Sequence, residues 1–289
     1  MSFLRSQFAA LALALACLVL QPPSGLAAQE LRIRFLNVGQ GDAALITTPE
    51  GRSVLIDAGP RSQAVADSLV AWHIDTLDFV VASHAHADHI GGMAEVLRRV
   101  VVRYYVDNGI GYTTATYKRT SDAVMANGAM YLRPEARTLT VGSVRFRVVP
   151  PPAGARDQNE ASVGILLEFG EFRALFTGDS ELGELGYWLA HDSIPRVQVL
   201  KVAHHGSGNG SSTVWARAEQ PMLAVFSVGR NRYGHPAAGV VALWRSVGAK
   251  VVRTDQHGTI EVLADSTGQF TVSTGLGTWR YDSLFLVPR

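Results

Sequence analysis

A histidine-rich segment early in the chain carries the strongest chemical signal. Four metal-competent side chains occur within six positions, directly after an apolar segment: His84, His86, Asp88 and His89. Side chains two residues apart in an extended segment point the same way, so His84 and His86 can share one ion. Asp88 and His89 fall where the chain turns into a helix and can serve a neighbouring ion. Imidazole and carboxylate suit zinc, manganese or iron, and this spacing favours a metal site over a solvated polar loop.

Later segments carry further candidate ligands. Asp179 ends an apolar strand, where its two oxygens can bridge two ions, although a turn aspartate that caps the following helix is the alternative. His204 and His205 close the apolar segment 199–203, and paired histidines at a strand end are uncommon as packing. One of them can bind metal while the other contacts a phosphate or donates a proton; the sequence leaves this assignment open. His235, in a Gly-His-Pro turn, is the remaining ligand candidate.

Two sets of nearby polar residues have a functional and an ordinary interpretation. The loop 206–212, which includes Ser207, either presents backbone N–H groups to an anion at the start of the next helix or is a flexible surface loop. Lys201, Arg230 and Arg232 lie close in sequence to candidate ligands. They either contact phosphate or are ordinary exposed basic residues.

Short strands and helices must position these residues. Strands are predicted at 31–36, 43–47, 53–57, 79–82, 101–106, 144–149, 163–169, 174–177, 198–203 and 224–228, and near 251 and 260. Helices are predicted at 64–72, 93–100, 117–126, 182–189 and 240–247. The early part is mainly strands and the later part mixes both, which predicts two sheets faced by outer helices.

Composition is that of a folded globular chain. Of 289 residues, 47% are hydrophobic and 18% are charged, and the formal net charge is +1. Overall charge therefore does not indicate strong global attraction to nucleic acid, although a local basic groove remains compatible with it. No linker rich in Pro, Gly or Ser divides the chain, so residues 29–289 are predicted to form a single domain.

The N-terminus has the features of a targeting segment. Arg5 precedes the unbroken apolar run Phe8–Leu20, and small residues follow at Ala27 and Ala28. This order predicts a secretory signal peptide over residues 1–28 and a secreted or periplasmic protein without stable membrane insertion after cleavage. An uncleaved anchor is less favoured because the run is shorter than the roughly 20 residues needed to span a bilayer. A lipoprotein cut before Cys17, the only cysteine, is also less favoured.

The motifs and their order resemble those of the metallo-β-lactamase superfamily, whose His-x-His-x-Asp-His signature is matched at residues 84–89. In detail the chain is similar to the C-terminal hydrolase domain of the competence DNA-uptake protein ComEC, from Asn37 to about Gly258. The other matching segments are Asn37–Asp42, Asn159–Ser162, Phe176–Asp179, Leu200–Ser207 and Asn231–Pro236. The resemblance implies an α/β (α+β) fold, the αββα sandwich of two mixed β-sheets with outer helices.

The resemblance also implies hydrolysis at two divalent metal ions, zinc or manganese. The implied ligands are His84, His86, Asp88, His89, Asp179, His204 and His235. The implied catalytic residues are Asp88, Asp179, which would bridge the ions, and His205, which would contact the phosphate or protonate the leaving oxygen. The implied supporting or substrate-binding residues are Asp42, Asp57, Asn159, Ser207 and Arg232. Asp42 and Asp57 could equally be ordinary turn residues.

Departures from the family pattern narrow what can be carried over. Many superfamily members have a further histidine ligand where this chain has Asn159, as the ComEC-like group also does. The transmembrane channel that accompanies the hydrolase domain in ComEC is missing here, so a role in DNA import is not inherited. The expected activity is hydrolysis of a phosphodiester in DNA or a nucleotide. The alternatives are an ester, lactone or thioester hydrolase on the same site, and a non-catalytic DNA-binding module.

Overall fold

A computed structural model of the protein describes residues 30–191 and 194–281. The predicted signal peptide, residues 1–28, lies outside the described residues, so the signal peptide and the domain boundary that follows it stay predictions. No helix within the described ranges has the length and apolar character needed to cross a lipid bilayer.

Sixteen strands occur among the described residues. They are β1 (Leu31–Phe35), β2 (Ala44–Thr47), β3 (Ser53–Ile56), β4 (Thr76–Val81), β5 (Val101–Val106), β6 (Met130–Leu132), β7 (Arg137–Val141), β8 (Val144–Val149), β9 (Gly164–Phe169), β10 (Phe172–Phe176), β11 (Val199–Lys201), β12 (Leu223–Phe226), β13 (Lys250–Arg253), β14 (Ile260–Ala264), β15 (Phe270–Thr274) and β16 (Gly277–Tyr281).

Helices connect many of these strands. Within the described ranges they are α1 (Ala64–Ala71), α2 (Ala87–Ile90), α3 (Met93–Arg99), α4 (Ala115–Asn127), α5 (Leu182–His191), α6 (Thr213–Glu219), α7 (Ala238–Ser246) and α8 (Thr254–His257). A short 3₁₀ turn, Ala203–Gly206, follows β11.

The strands form two mixed sheets. In the part of the chain that the structure describes, the first sheet has nine strands in the order β16-β15-β14-β1-β2-β3-β4-β5-β6, and the second has seven in the order β13-β12-β11-β10-β9-β8-β7. The run from β3 to β6 is parallel in the first sheet, and the run from β10 to β13 is parallel in the second. The predicted sandwich of two mixed sheets with outer helices is confirmed.

The core between the sheets follows from alternation along the strands. Leu31, Ile33 and Phe35 are buried and face the second sheet, whereas the alternate residues Arg32 and Arg34 are only half-buried. Phenylalanines from both sheets meet in this layer: the rings of Phe79 and Phe146 are 5.0 Å apart and those of Phe35 and Phe176 are 5.7 Å apart. Burial of such rings is a dominant source of stability.

Each sheet also buries its outer face under helices. On the first sheet, Leu55 and Val80 pack with Leu69 of α1 and Leu97 of α3. On the second, three fully buried tryptophans from α5, α6 and α7 lie in one cluster: Trp188, Trp215 and Trp244. The order of layers is therefore helix, sheet, sheet, helix.

Several elements escaped the sequence patterns. β6, β7, α6, β15 and β16 were not predicted. β6 and β7 are edge strands with exposed positions, which give only a weak apolar pattern. α6 is preceded by its capping residue Ser212, whose side chain accepts a hydrogen bond from the Trp215 N–H. This start lies inside a stretch rich in Gly and Ser that resembles a loop. Local composition therefore concealed a capped helix.

Glu219, in α6, gives a prediction about stability. Its side chain is 1% exposed, and one carboxylate oxygen has no hydrogen-bond partner among the described residues. Burial raises the pKa of Glu219 from an ordinary 4.5 to about 8, against the opposing charge of Arg196. Between these pH values the folded state keeps a proton that the unfolded state has lost. The free energy of unfolding therefore falls as pH rises, by up to about 1.4 kcal/mol per pH unit.

We expect Glu219→Gln to remove this component and to stabilise the protein at neutral pH. The measurement is urea unfolding of both proteins at several pH values between 5 and 8, with Glu171→Gln, at an exposed position, as the matched control. Parallel pH dependences for the wild type and Glu219→Gln would contradict the argument.

Candidate metal centre

The candidate ligands lie at the carboxyl ends of strands from both sheets. Ser83 and His84 follow β4 in the first sheet, and Asp179 follows β10 in the second. His204 and His205 follow β11, which lies parallel to β10. The parallel runs end at the same edge of the sandwich, so residues far apart in sequence meet there.

Asp57, directly after β3, fixes the first group of side chains. It is buried, and its Oδ1 accepts a hydrogen bond of 2.8 Å from the Ser83 N–H. Its Oδ2 accepts from the Ser83 hydroxyl at 2.8 Å and lies 2.8 Å from His89 Nδ1. With Nδ1 engaged, the Nε2 atom of His89 points to Asp179 Oδ1 at 3.2 Å. This is the arrangement expected of a carboxylate that orients a ligand imidazole.

His205 is held in the same way by the second sheet. Its Nδ1 lies 2.8 Å from the Ser227 carbonyl oxygen. Its Nε2 lies 3.3 Å from Asp88 Oδ2 and 3.4 Å from Asp179 Oδ2. One ligand atom from each of Asp88, His89, Asp179 and His205 therefore lies within 4.8 Å of the others.

A second pair of imidazoles adjoins this group. His84 Nε2 and His86 Nδ1 are 3.0 Å apart. The other nitrogen of His84, Nδ1, lies 3.2 Å from the Ser83 hydroxyl and 3.5 Å from the Ser162 hydroxyl. The ring of His84 is thus held on its inner side by two buried serines, and its Nε2 faces the cluster.

Asp179 lies between the two groups. Besides its contacts with His89 and His205, its Oδ2 is 3.9 Å from His84 Nε2 and 3.8 Å from His204 Nε2. Its backbone N–H donates to the Ser162 hydroxyl at 3.1 Å. A carboxylate with imidazoles on both sides has the position required of a bridge between two ions.

His204 and His235 border the entrance. Their ring centroids are 5.4 Å apart, and both line a cleft of about 360 Å³ above the cluster. The side chain of His204 is 17% exposed, against 2% for His205. Asn159 also lines the cleft, and its amide donates to Glu181 Oε1 at 3.0 Å.

A buried ion pair lies beneath the cluster. Lys201 Nζ contacts Asp42 Oδ2 and donates to the Gly178 carbonyl oxygen at 2.9 Å. Asp42 Oδ1 lies 3.2 Å from His205 Nδ1, whose hydrogen-bond partner is the Ser227 carbonyl oxygen. Lys201 is 3% exposed, so it does not lie on the surface. Its ammonium group compensates the charge of Asp42.

The donor set fits a metal ion. Six buried atoms of the site have no hydrogen-bond partner among the described residues: Asp42 Oδ1, His89 Nε2, Asp179 Oδ1, His204 Nδ1, His205 Nε2 and His235 Nδ1. Such atoms cost free energy unless a ligand satisfies them. Imidazole nitrogen and carboxylate oxygen are ligands that zinc and manganese accept.

The electrostatics of the cluster favour a bound cation. Burial by itself lowers the pKa of the His89 imidazole, but the carboxylates of Asp179 and Asp57 outweigh it and raise that pKa well above its ordinary range. The pKa of the His205 imidazole is raised in the same way, because the carboxylates of Asp179 and Asp42 outweigh the effect of burial. Positive charge is therefore strongly favoured at this position, and a divalent ion can supply it in place of protons.

Backbone strain is concentrated in the site. Among the described residues, five that are not glycine have positive φ: Asp57, His73, His204, His205 and Gln220. Three of these belong to the cluster, with φ of 58° for Asp57, 50° for His204 and 52° for His205. Each such residue costs of the order of 1–2 kcal/mol, so surrounding contacts must impose these conformations.

One glycine permits close approach of the sheets. Gly178, immediately before Asp179, has φ of +54°, and a Cβ atom there would lie 2.7 Å from Ser83 Cβ. Only glycine accommodates both the backbone conformation and the contact.

Other predicted residues lie around rather than in the cluster. The Ser207 N–H donates to the His204 carbonyl oxygen at 2.8 Å, and the Gly210 N–H donates to the Ser207 carbonyl oxygen at 3.1 Å, so these two N–H groups serve the loop itself. Arg230 and Arg232 are exposed. His73 and His191 are also exposed.

Sequence reasoning missed three buried polar residues that support the site: Ser83, Gln158 and Ser162. Gln158 Oε1 accepts from the Ala85 N–H at 2.9 Å and from the Asn108 amide at 3.1 Å, which anchors the histidine segment. Ser162 belongs to a matching motif and Ser83 precedes His84, but nothing local distinguishes a supporting hydroxyl from a surface one.

Comparison with known proteins identifies the family. The metallo-β-lactamase superfamily model matches residues 36–211, and the chain belongs to this superfamily. The YhfI protein of Bacillus subtilis, a metallo-β-lactamase fold protein, superposes with a TM-score of 0.54 at 12% identity over 80% of this chain and 99% of that one. The buried cluster of histidines and aspartates is consistent with a metal site typical of the superfamily.

Two curated relatives are similar over most of the chain. ComE operon protein 3 of Bacillus subtilis is 30% identical over 268 residues, which cover 84% of this chain and 34% of that protein. Competence protein ComA of Neisseria gonorrhoeae is 31% identical over 255 residues, which cover 86% and 34%. The chain spans about a third of the length of these relatives, and the predicted similarity to ComEC-like proteins is confirmed.

Asp57 gives a prediction about metal binding. In Asp57→Asn, one acceptor oxygen becomes an NH₂ group, so the side chain can no longer accept both from the Ser83 backbone N–H at one atom and from His89 Nδ1 at the other. We expect the affinity for manganese to fall about tenfold to a hundredfold, measured by competition with a chelator. Asp75→Asn, at an exposed position before β4, is the matched control. Unchanged affinity in folded Asp57→Asn would show that this contact does not orient His89.

Proposed function

We propose that the protein is a metal-dependent phosphodiesterase that acts on nucleic acid or nucleotides. The observation that carries the proposal is the position of Asp179 between two groups of imidazoles, at the floor of an open cleft. Paired ions suit in-line displacement at phosphorus. The name of one relative, Competence protein ComA, refers to competence and adds support for nucleic acid as the substrate class.

The side chains divide into two ligand groups around Asp179. His84, His86 and Asp179, with His235 at the entrance, would hold one divalent ion. Asp88, His89, Asp179 and His205 would hold the other. Zinc or manganese bound here would supply an activated water and neutralise the charge that develops on the phosphate.

The remaining chemistry falls to the chain's own groups. Asp88 is half-buried and lines the cleft, so its carboxylate can orient the attacking water. His205 is buried among the ligands, whereas His204 is partly exposed at the entrance. We therefore assign His204 the role of donating a proton to the leaving oxygen, and His205 the role of binding metal.

One observation favours the alternative substrates. The described residues that line the cleft include no lysine or arginine. They are Gln40, His86, Ala87, Asp88, Asn159, Asp179, His204, His205, Tyr233 and His235. A neutral ester, lactone or thioester would fit such a lining, whereas a phosphodiester depends on the ions for charge neutralisation. The same lining weighs against a non-catalytic DNA-binding module, which needs phosphate-neutralising side chains.

Secretion or release to the periplasm remains part of the proposal.

We expect the protein to hydrolyse bis(p-nitrophenyl) phosphate when supplied with manganese or zinc. Asp88→Ala and Asp179→Ala should each lower kcat/KM by more than about a hundredfold, because each removes a ligand to the ions that stabilise the transition state. Chelation should abolish turnover, and added manganese should restore it. The measurement is release of p-nitrophenolate, with metal content determined for each protein.

The matched control is Asp75→Ala, which changes an exposed aspartate outside the cluster. A parallel assay uses labelled single-stranded DNA. Absence of turnover of either substrate by folded, metal-loaded protein would overturn the phosphodiesterase proposal. Hydrolysis of a neutral ester or lactone by the same sample would then identify the alternative class.

A further inference from the structure

An exposed aromatic ring stands at one side of the cleft. Tyr233 lines the cleft and is 62% exposed. Its ring centroid is 5.7 Å from that of His235, at an interplanar angle of 31°. The guanidinium carbon of Arg232 lies 5.6 Å from the same ring. The ring of Tyr233 is therefore largely exposed beside the candidate ligands, and the guanidinium of Arg232 lies over it.

A second tyrosine stands near the opposite end of the ligand set. Tyr112 lies in the connection between β5 and α4, half-buried against the outer core of the first sheet. Its ring centroid is 5.7 Å from that of His86, at 64°. Five imidazole rings connect the two tyrosines, in the order His86, His84, His89, His205 and His235. The centroids of successive rings are 4.1–6.5 Å apart. The tyrosines thus flank the cluster from two sides.

The two sides come from separate parts of the chain. Tyr112 is positioned by the first sheet, through the connection that follows β5, and Tyr233 by the turn that follows β12 in the second sheet. The turn around Tyr233 is braced from within: the Asn231 amide donates to the carbonyl oxygens of Gly229 and His235, both at 2.8 Å, and Asn231 Oδ1 accepts from the Tyr233 N–H at 3.0 Å. The exposed ring is therefore presented on an ordered turn.

The chemistry of these groups matches a nucleotide. A nucleobase stacks on an exposed aromatic face regardless of its identity, because every base has a π-face. Arginine beside the ring can contact a phosphate that follows the stacked base. The described residues that line the cleft include no lysine or arginine, so Arg232, at its edge, is placed to serve a phosphate adjacent to the one held at the ions.

We propose that Tyr233 forms a base-stacking subsite at the edge of the cleft and that the substrate is nucleic acid with unpaired bases. This inference rests on the proposed phosphodiesterase function and narrows it to single strands. Bases within a duplex are already stacked on their neighbours and cannot present a free face to Tyr233.

The test compares two single-stranded oligonucleotides of equal length, one oligothymidylate and one abasic. Binding is measured by fluorescence anisotropy and cleavage by gel assay, both with manganese-loaded full-length protein. We expect the wild type to bind and cleave the oligothymidylate about tenfold better than the abasic strand. Tyr233→Ala should lose this preference, Tyr233→Phe should keep it, and Tyr104→Ala, which removes an exposed ring on β5, should leave it unchanged.

The outcomes separate the two proposals. Equal binding of both strands by the wild type, or a preserved preference in folded Tyr233→Ala, overturns the stacking subsite. Base-dependent binding without cleavage of any phosphodiester overturns the phosphodiesterase proposal and leaves the subsite supported. Equal cleavage of duplex and single strands by the wild type also overturns the inference about unpaired bases.

Discussion

Four aspartates converge at one edge of the sandwich: Asp42, Asp57, Asp88 and Asp179. Within the described structure, Lys201 is the lysine that is buried beside them. Negative charge in a poorly hydrated place is costly unless cations or hydrogen bonds compensate it. Lys201 compensates Asp42, and Asp57 receives hydrogen bonds from Ser83. The charge that remains, on Asp88 and Asp179, faces imidazoles. The site is therefore stable when a cation lies among these groups, and the surrounding structure serves that requirement.

The sandwich meets the requirement by bringing two parallel strand runs to the same edge. Strands β3 and β4 deliver Asp57 and the histidine segment, whereas β10 and β11 deliver Asp179 and His205. Neither sheet holds a complete ligand set, so the apolar layer between the sheets fixes the distances within the cluster. Positive φ at Asp57, His204 and His205 shows that packing and hydrogen bonds overrule local preference there. Stability of the core and geometry of the site are therefore linked.

The cleft above the cluster has an unusual balance for a site that is proposed to act on phosphates. In the described structure its lining contains imidazole, carboxylate, amide and one phenol ring but no lysine or arginine. Affinity for a phosphodiester must then come from the bound ions, from Arg232 at the edge and from stacking on Tyr233. Such a site relies on the shape and aromatic character of the substrate more than on long-range attraction, which agrees with the near-neutral formal charge of +1.

The sequence by itself determined the histidine motif, most of the strands and helices, and the family, because these depend on local spacing and on apolar periodicity. It also indicated that His204 and His205 divide their roles, but not how. Only the tertiary structure decided that Lys201 is buried against Asp42, that Asp57 orients His89, and that Tyr112 approaches His86. These contacts join residues that separate strands or loops bring together. Local pattern carries no information about such pairs, since they arise only when the strand ends meet at one edge.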